Sequence, residues 1–117
     1  MSASKLNLPV IEKGATYRHT LYWKDALNVA INLTGCTAKL QVRETINSGV
    51  ILLELSTTNS GLVITPLTGR IDLYVSDEAT TTLVGIGGVY DLEIYFSNGD
   101  TTRLIEGKVT FKAEVTR

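Results

Sequence analysis

The sequence has few of the residues that mark catalysis or covalent cross-linking. Cys36 is the only cysteine and His19 the only histidine. A single cysteine excludes an intrachain disulfide, so the chain is expected to fold in a reducing compartment. One histidine and one cysteine cannot close a tetrahedral zinc cage without carboxylates. Neither sign of charge is in excess: 11 Lys and Arg face 12 Asp and Glu, for a net charge of −1. That balance argues against a phosphate backbone as partner, and against a polybasic membrane contact. No run approaches the roughly 18 apolar residues of a membrane helix. The opening "MSASKLNLPVIEKG" lacks the apolar segment of a signal peptide, and secretion by the general route is not expected.

What is present points to strands. The 117 residues suit one domain, and 44% of them are hydrophobic, enough to build a core without staples. Thr, Val, Ile and Tyr are frequent, proline is rare, and glycines sit between apolar runs. Residues 1–7 read as a polar N-terminal arm and residues 8–117 as a single domain. Within the domain, "LPVIEKG" reads as a short edge strand.

Alternation then assigns faces. In "TYRHTLYW", Tyr17, His19, Leu21 and Trp23 share the inner face, and Arg18, Thr20 and Tyr22 the outer. "AINLTG" is expected to bring the chain back, with Gly35 free to take positive φ. In "CTAKLQVRE", Ala38, Leu40 and Val42 point inward. "VILLELS" reads as a long strand and "LVIT" as a short one ending at Pro66. In "RIDLYV", Ile71, Leu73 and Val75 point inward, with Arg70, Asp72 and Tyr74 outward. "SDEATTTL" breaks the alternation and predicts a short helical turn near residues 76–83, capped by Ser76, that crosses between sheets. Last come two long alternating runs around Asn98-Gly99, a dipeptide suited to a tight hairpin. Tyr90, Leu92, Ile94 and Phe96 face inward on the first run. On the second, Ile105, Val109 and Phe111 share a face with Gly107, which marks a bulge or a close backbone approach. The sum is an all-β fold, an antiparallel sandwich of about seven or eight strands.

A search for chemistry returns little. His19 sits between Tyr17 and Leu21 at strand spacing, which favours a structural histidine over a catalytic one. Cys36 reads as a small buried hydrophobe. Asp91 and Glu93 lie two apart on a strand, on one solvent face, and no calcium-loop spacing is present. "GIGG" matches neither a phosphate loop nor a dinucleotide motif and reads as a turn. No catalytic, cofactor or metal residue is assigned, and an enzyme is not expected. Tyr22, Tyr74 and Tyr95 are predicted to point outward. They suit a partner contact patch, and equally cross-strand pairing on a solvated face.

Four segments in order carry a resemblance: "KGATYRHTLYWKD", "INLTGCTAKLQVRE", "GRIDLYVSDEATTTL" and "GVYDLEIYFSNGDTTRLIEGKVTFKAEVTR". Together they resemble the immunoglobulin-like N-terminal domain of bacteriophage baseplate upper proteins, and related small virion proteins associated with tails and fibres. The resemblance covers residues 12–117 and lies in the ordered set, not in any one motif. The chain departs from the pattern at Ala15, where an acidic residue is usual, and at Cys36, where an aromatic is usual.

The resemblance implies an immunoglobulin-like sandwich and a non-enzymatic virion structural protein. It also implies assembly in the host bacterial cytoplasm in multiple copies, with other virion proteins as partners. The baseplate upper proteins carry further segments after this domain and this chain does not. A tail, baseplate or fibre-attachment adaptor is therefore expected. The alternatives are a capsid decoration or head-fibre protein and, from the aromatics alone, a carbohydrate-binding module for host surface glycan. A free sheet edge, the outward tyrosines and the N-terminal arm are the candidate contact surfaces.

Overall fold

The computed structural model describes residues 4–113. Among them, nine strands form two sheets. The larger holds β1 (Ser4–Lys5), β2 (Ile11–Glu12), β4 (Thr37–Arg43), β5 (Leu53–Ser56), β8 (Gly87–Tyr95) and β9 (Thr101–Lys112). Its order is β1-β9-β8-β4-β5, with β2 also on β9. The smaller holds β3 (Tyr17–Tyr22), β6 (Leu62–Thr65) and β7 (Arg70–Val75), in the order β3-β7-β6. The chain starts on the large sheet, visits the small one at β3, and returns for β4 and β5. It then makes β6 and β7 in the small sheet and closes with β8 and β9 in the large one. From β3 onward this is the connectivity of an immunoglobulin-like sandwich. The departure is at the start, where the first strand lies on β9 instead of beside β3.

The core forms where two alternating faces meet. Leu40 and Val42 from β4, Leu92 and Ile94 from β8, and Ile71 and Leu73 from β7 are all at most 1% exposed. Burying side chains of this size stabilises by about 1.5–3 kcal/mol each relative to exposure. All six were expected to face inward. Antibody domains pin their sheets with a disulfide whose second cysteine follows a tyrosine by two residues. Here Leu92 follows Tyr90 at that spacing and is fully buried, so apolar packing does the work of the bridge. Trp23 and Phe96 close one end of the core, their rings tilted with centroids 6.1 Å apart.

The helical turn forms as α1 (Asp77–Thr81), with the Ser76 hydroxyl accepting from the Ala79 amide at 3.1 Å. It links β7 in one sheet to β8 in the other. Thr80, fully buried, donates to the Ala15 carbonyl at 2.9 Å and accepts from the Gly14 amide at 3.1 Å.

"AINLTG" brings the chain back without forming a strand. It crosses between sheets, with Leu33 as a fully buried plug whose amide donates to Pro66 at 3.0 Å. The Asn32 side chain accepts from the Thr34 amide at 2.9 Å, a local turn that competes with extension. Several expectations are corrected. "VILLELS" supplies a strand only from Leu53 to Ser56. The residues before it are drawn into a loop, where Arg43 Nη1 donates to the Ser48 carbonyl at 2.7 Å. "GIGG" is only half a turn, since Gly87 and Gly88 begin β8 and pair with Thr110 and Val109. The Asn98-Gly99 hairpin has a three-residue loop rather than a two-residue one. Phe96 pairs with Asp100, Gly99 donates back to Phe96 at 3.0 Å, and only Gly99 of the dipeptide takes positive φ, at 96°. The bulge in β9 lies at Leu104, where the register slips between Leu92 and Glu93.

Gly107 marks the close approach. A Cβ there would lie 2.2 Å from the Leu6 carbonyl oxygen. That contact belongs to the N-terminal segment, which the sequence offered as an arm. Residues 4–7 instead run along β9, with Ser4 and Lys5 paired in parallel to Ile105 and Glu106. The first three residues of the expected arm lie outside the described residues.

The open edge of β5 is sealed by a side chain. The register leaves the Glu54 carbonyl and Ser56 amide pointing away from β4. Asn59 meets both: its Nδ2 donates to Glu54 O at 3.0 Å, and its Oδ1 accepts from Ser56 N at 2.9 Å. Asn59→Ala should lower unfolding free energy by about 1 kcal/mol in urea titrations and speed amide exchange at Ser56. Unchanged exchange at Ser56 would show that the side chain does not protect this edge.

Candidate interaction surfaces

The structure divides the three outward tyrosines between opposite faces. Tyr22 and Tyr74 stand on the outer face of the small sheet, 56% and 37% exposed. Tyr95 stands on the outer face of the large sheet and is half-buried. Its hydroxyl lies 3.5 Å from Glu93, and burial together with that carboxylate pushes its pKa upward. One patch of three tyrosines does not exist. Local alternation fixes which way a residue points, but not which sheet carries its strand.

Each residue of the small sheet's outer face meets a partner chosen by register. Arg18 opposes Tyr74, Thr20 opposes Asp72 and Tyr22 opposes Arg70. The Arg18 guanidinium sits 4.7 Å from the Tyr74 ring centre, a cation–π distance. The Thr20 hydroxyl donates to Asp72 at 2.6 Å, and Arg70 Nε stands 3.0 Å from the other Asp72 oxygen. Lys24 reaches the Tyr22 ring at 5.8 Å. Arg18, Thr20, Asp72 and Tyr74 line a shallow groove with Val63, which is 52% exposed. His19, paired to Leu73 one step inward, is half-buried. Among the described residues, no three His, Cys, Asp or Glu side chains converge as a metal site would require. Cys36 is half-buried and unbridged, and burial pushes its thiol pKa up, away from the reactive thiolate.

The sequence reading missed a second surface, on the loops at one end of the sandwich. Ile46 is 80% exposed and Ile86 84% exposed, with Val50 and Val84 also largely open. Ile46 lines one groove and Val84 and Ile86 an adjoining one, and the two share Val89 and Lys108. The signal was available: apolar residues set among Gly, Ser and Asn in "TINSGVI" and "LVGIGG", with no alternating partner to bury them.

The N-terminal segment is fixed by two tyrosines that point inward. Tyr90 donates its hydroxyl to the Leu6 carbonyl, and Tyr17 donates to Pro9 O at 3.1 Å. Asn7 Oδ1 accepts from the Lys108 amide at 3.0 Å. Lys5 Nζ stands 2.9 Å from Glu106, and this bond holds the carboxyl below its usual pKa. The pair is exposed and contributes little to stability.

No protein-family model matches the chain, and no curated protein sequence matches it. Among solved structures, the chain is similar in outline to the first Ig-like domain from human CD48 antigen, at 12% identity and a TM-score of 0.35, over 98% of this chain and 86% of that one. It is also similar to extracellular domains 3–5 of Drosophila OTK, at 12% identity and a TM-score of 0.32, over 94% of this chain. The chain spans about a third of that OTK fragment, 32% of its length. The strand order described above, rather than these distant likenesses, carries the immunoglobulin-like assignment.

Tyr17 and Tyr90 make the fold sensitive to alkaline pH. They are 7% and 3% exposed, and burial pushes each pKa from 10.0 to about 12. The folded state holds these protons after the unfolded chain has released them. Their contribution is therefore complete below pH 10 and is lost as pH rises toward about 12. Unfolding free energy should fall steeply across that window, by on the order of 2 kcal/mol per tyrosine, and the melting temperature should fall with it. The Tyr17→Phe and Tyr90→Phe variants should flatten the fall. A wild-type melting temperature constant from pH 10 to 12 would contradict this assignment.

Proposed function

We propose that this domain is a non-enzymatic building block of a bacteriophage virion, an adaptor of the tail, baseplate or fibre-attachment region that works through protein–protein contacts. The observation that carries the reading is the ordered set of four sequence segments spanning residues 12–117. Those segments resemble the virion domains chiefly in their order, with departures at Ala15 and Cys36. The residues they contribute are largely the strands β3, β4, β7, β8 and β9 that build the sandwich.

The surface chemistry supports a contact module. Ile46, Val50, Val84 and Ile86 present apolar side chains on loops around a packed scaffold, where hydration disfavours them until a partner covers them. This loop end is the proposed docking surface for another virion protein. Tyr22 and Tyr74 belong to a different face, the outer side of the small sheet. Assembly in the bacterial cytoplasm is consistent with the lone, unbridged Cys36.

Mass spectrometry of purified particles, fractionated into tails and capsids, tests the proposal. The protein is expected in tail fractions, at a fixed ratio to the other tail proteins. Recovery from capsid fractions would favour a decoration role instead. Recovery only outside particles would end both readings, and binding to host glycans would become the reading to examine. In assembly extracts, Ile86→Asp is expected to reduce incorporation at least tenfold while leaving the melting temperature unchanged.

A further inference from the structure

The two sheets have four outer edges, and three of them are closed or short. The β9 edge is covered by β1 and β2, and the β5 edge is sealed by Asn59. The β6 edge belongs to a strand of only four residues. The fourth, on β3, is six residues long, and among the described residues no strand pairs with it on that side. In an ordinary immunoglobulin sandwich the first strand lies there. An uncovered edge of this length is normally blunted by lysine, proline or a bulge. The β3 sequence Tyr-Arg-His-Thr-Leu-Tyr has none of these, and Arg18 is its one permanent charge.

The register shows which groups the edge presents. Trp23 donates to the Gly69 carbonyl at 2.8 Å, continuing the β3–β7 ladder in which Tyr17 opposes Val75 and Leu21 opposes Ile71. Antiparallel ladders alternate, so Tyr17, His19 and Leu21 direct their main-chain groups at β7. The amides and carbonyls of Arg18, Thr20 and Tyr22 point away from the sheet.

We propose that β3 pairs antiparallel with the β3 of a second copy of this chain, across a two-fold axis at Thr20. This joins the small sheets into one of six strands. Centring the axis there sets Thr20 opposite Thr20 and Arg18 opposite Tyr22, in both directions. All three outward residues are used, giving about six main-chain hydrogen bonds. Any other symmetric register leaves at least one of the three unpaired.

The side chains favour the same register. Arg18, held over Tyr74 of its own chain at 4.7 Å, lies opposite the Tyr22 ring of the second copy, a second aromatic face within its reach. No two like charges fall directly opposite. On the inner side His19 opposes Leu21, and both are half-buried, with no strand beyond them among the described residues. The complementarity of the edge with itself is what selects a second copy over an unrelated strand. A contact of one strand pair is small, and the dimer is accordingly weak and concentration-dependent.

Sedimentation equilibrium over a range of concentrations, with two variants, tests the pairing. Wild type is expected to show a reversible monomer–dimer equilibrium. Thr20→Pro removes an amide that points away from β7, so the monomer's own ladder survives while the centre of the pairing is lost. It should weaken association on the order of a hundredfold, since two bonds go and two carbonyls lose their donors. Independently, Thr20→Cys in a Cys36→Ser background should oxidise to a covalent dimer. Directly opposed residues in a hydrogen-bonded pair lie about 5.5 Å apart, within disulfide reach. A wild type that stays monomeric at all concentrations would overturn the proposal. So would a dimer that folded Thr20→Pro leaves intact, or a Thr20→Cys variant that does not cross-link. Should Thr20→Pro fail to fold, the cross-linking result decides alone. If wild type stays monomeric but an unrelated edge peptide protects the β3 amides from exchange, the edge serves a foreign strand and the two-fold pairing is wrong.

Discussion

The parallel seating of the N-terminal segment on β9 is the constraint that organises the molecule. It depends on one missing side chain. Gly107 lets the Leu6 carbonyl approach to a distance that any Cβ would block, since that atom would lie 2.2 Å away. Tyr90 and Tyr17 then fasten the segment from inside the sandwich, each giving its hydroxyl to a main-chain carbonyl. The two hydroxyls find partners for atoms that would otherwise be buried unsatisfied, and they hold the strand in register. Once the first strand is committed to β9, it is not available to β3. One edge is closed at the expense of another, and the surface the molecule presents follows from that choice.

The second organising fact is how little covalent or ionic help the fold uses. The sheets are joined by side chains such as Leu92, Leu40, Ile71 and Leu73, with no bridge between them. The four ion pairs among the described residues all lie at the surface. Such pairs contribute at most about 1 kcal/mol each. Every fully buried side-chain polar atom among the described residues has a hydrogen-bond partner. Stability therefore resides in apolar packing and satisfied main chain. The loops and outer faces are left free to vary their chemistry.

Much of this was legible in the sequence, for a reason that can be traced residue by residue. β4, β7 and β8 have one buried and one solvated face, so a period of two in hydrophobicity is imposed on them. Their inward residues were all assigned correctly. The Ser76 cap was legible because its chemistry is local. What escaped was non-local. Two-residue strands such as Ser4–Lys5 are too short to show a period, and their partner lies a hundred residues away. Ile31 and Leu33 alternate like a strand but serve as a plug between sheets. The tyrosines were read as outward, and they are, yet the split between faces is set by the order in which strands join sheets. The exposed isoleucines of the loops follow no alternation. Their one signal in the sequence is their setting among Gly, Ser and Asn, and the structure shows them exposed.

The direction of the first strand also governs how the molecule bears tension. β1 and β2 run parallel to β9, so Ser4 and Lys112 stand at opposite ends of the same ribbon. A pull between those points acts along the strands and across their hydrogen bonds. The bonds share the load and resist sliding together. In an antiparallel pair joined by a hairpin, the same pull would part them one after another, like a zip. The arrangement that seals the β9 edge thus also sets that edge's hydrogen bonds in parallel against a lengthwise pull.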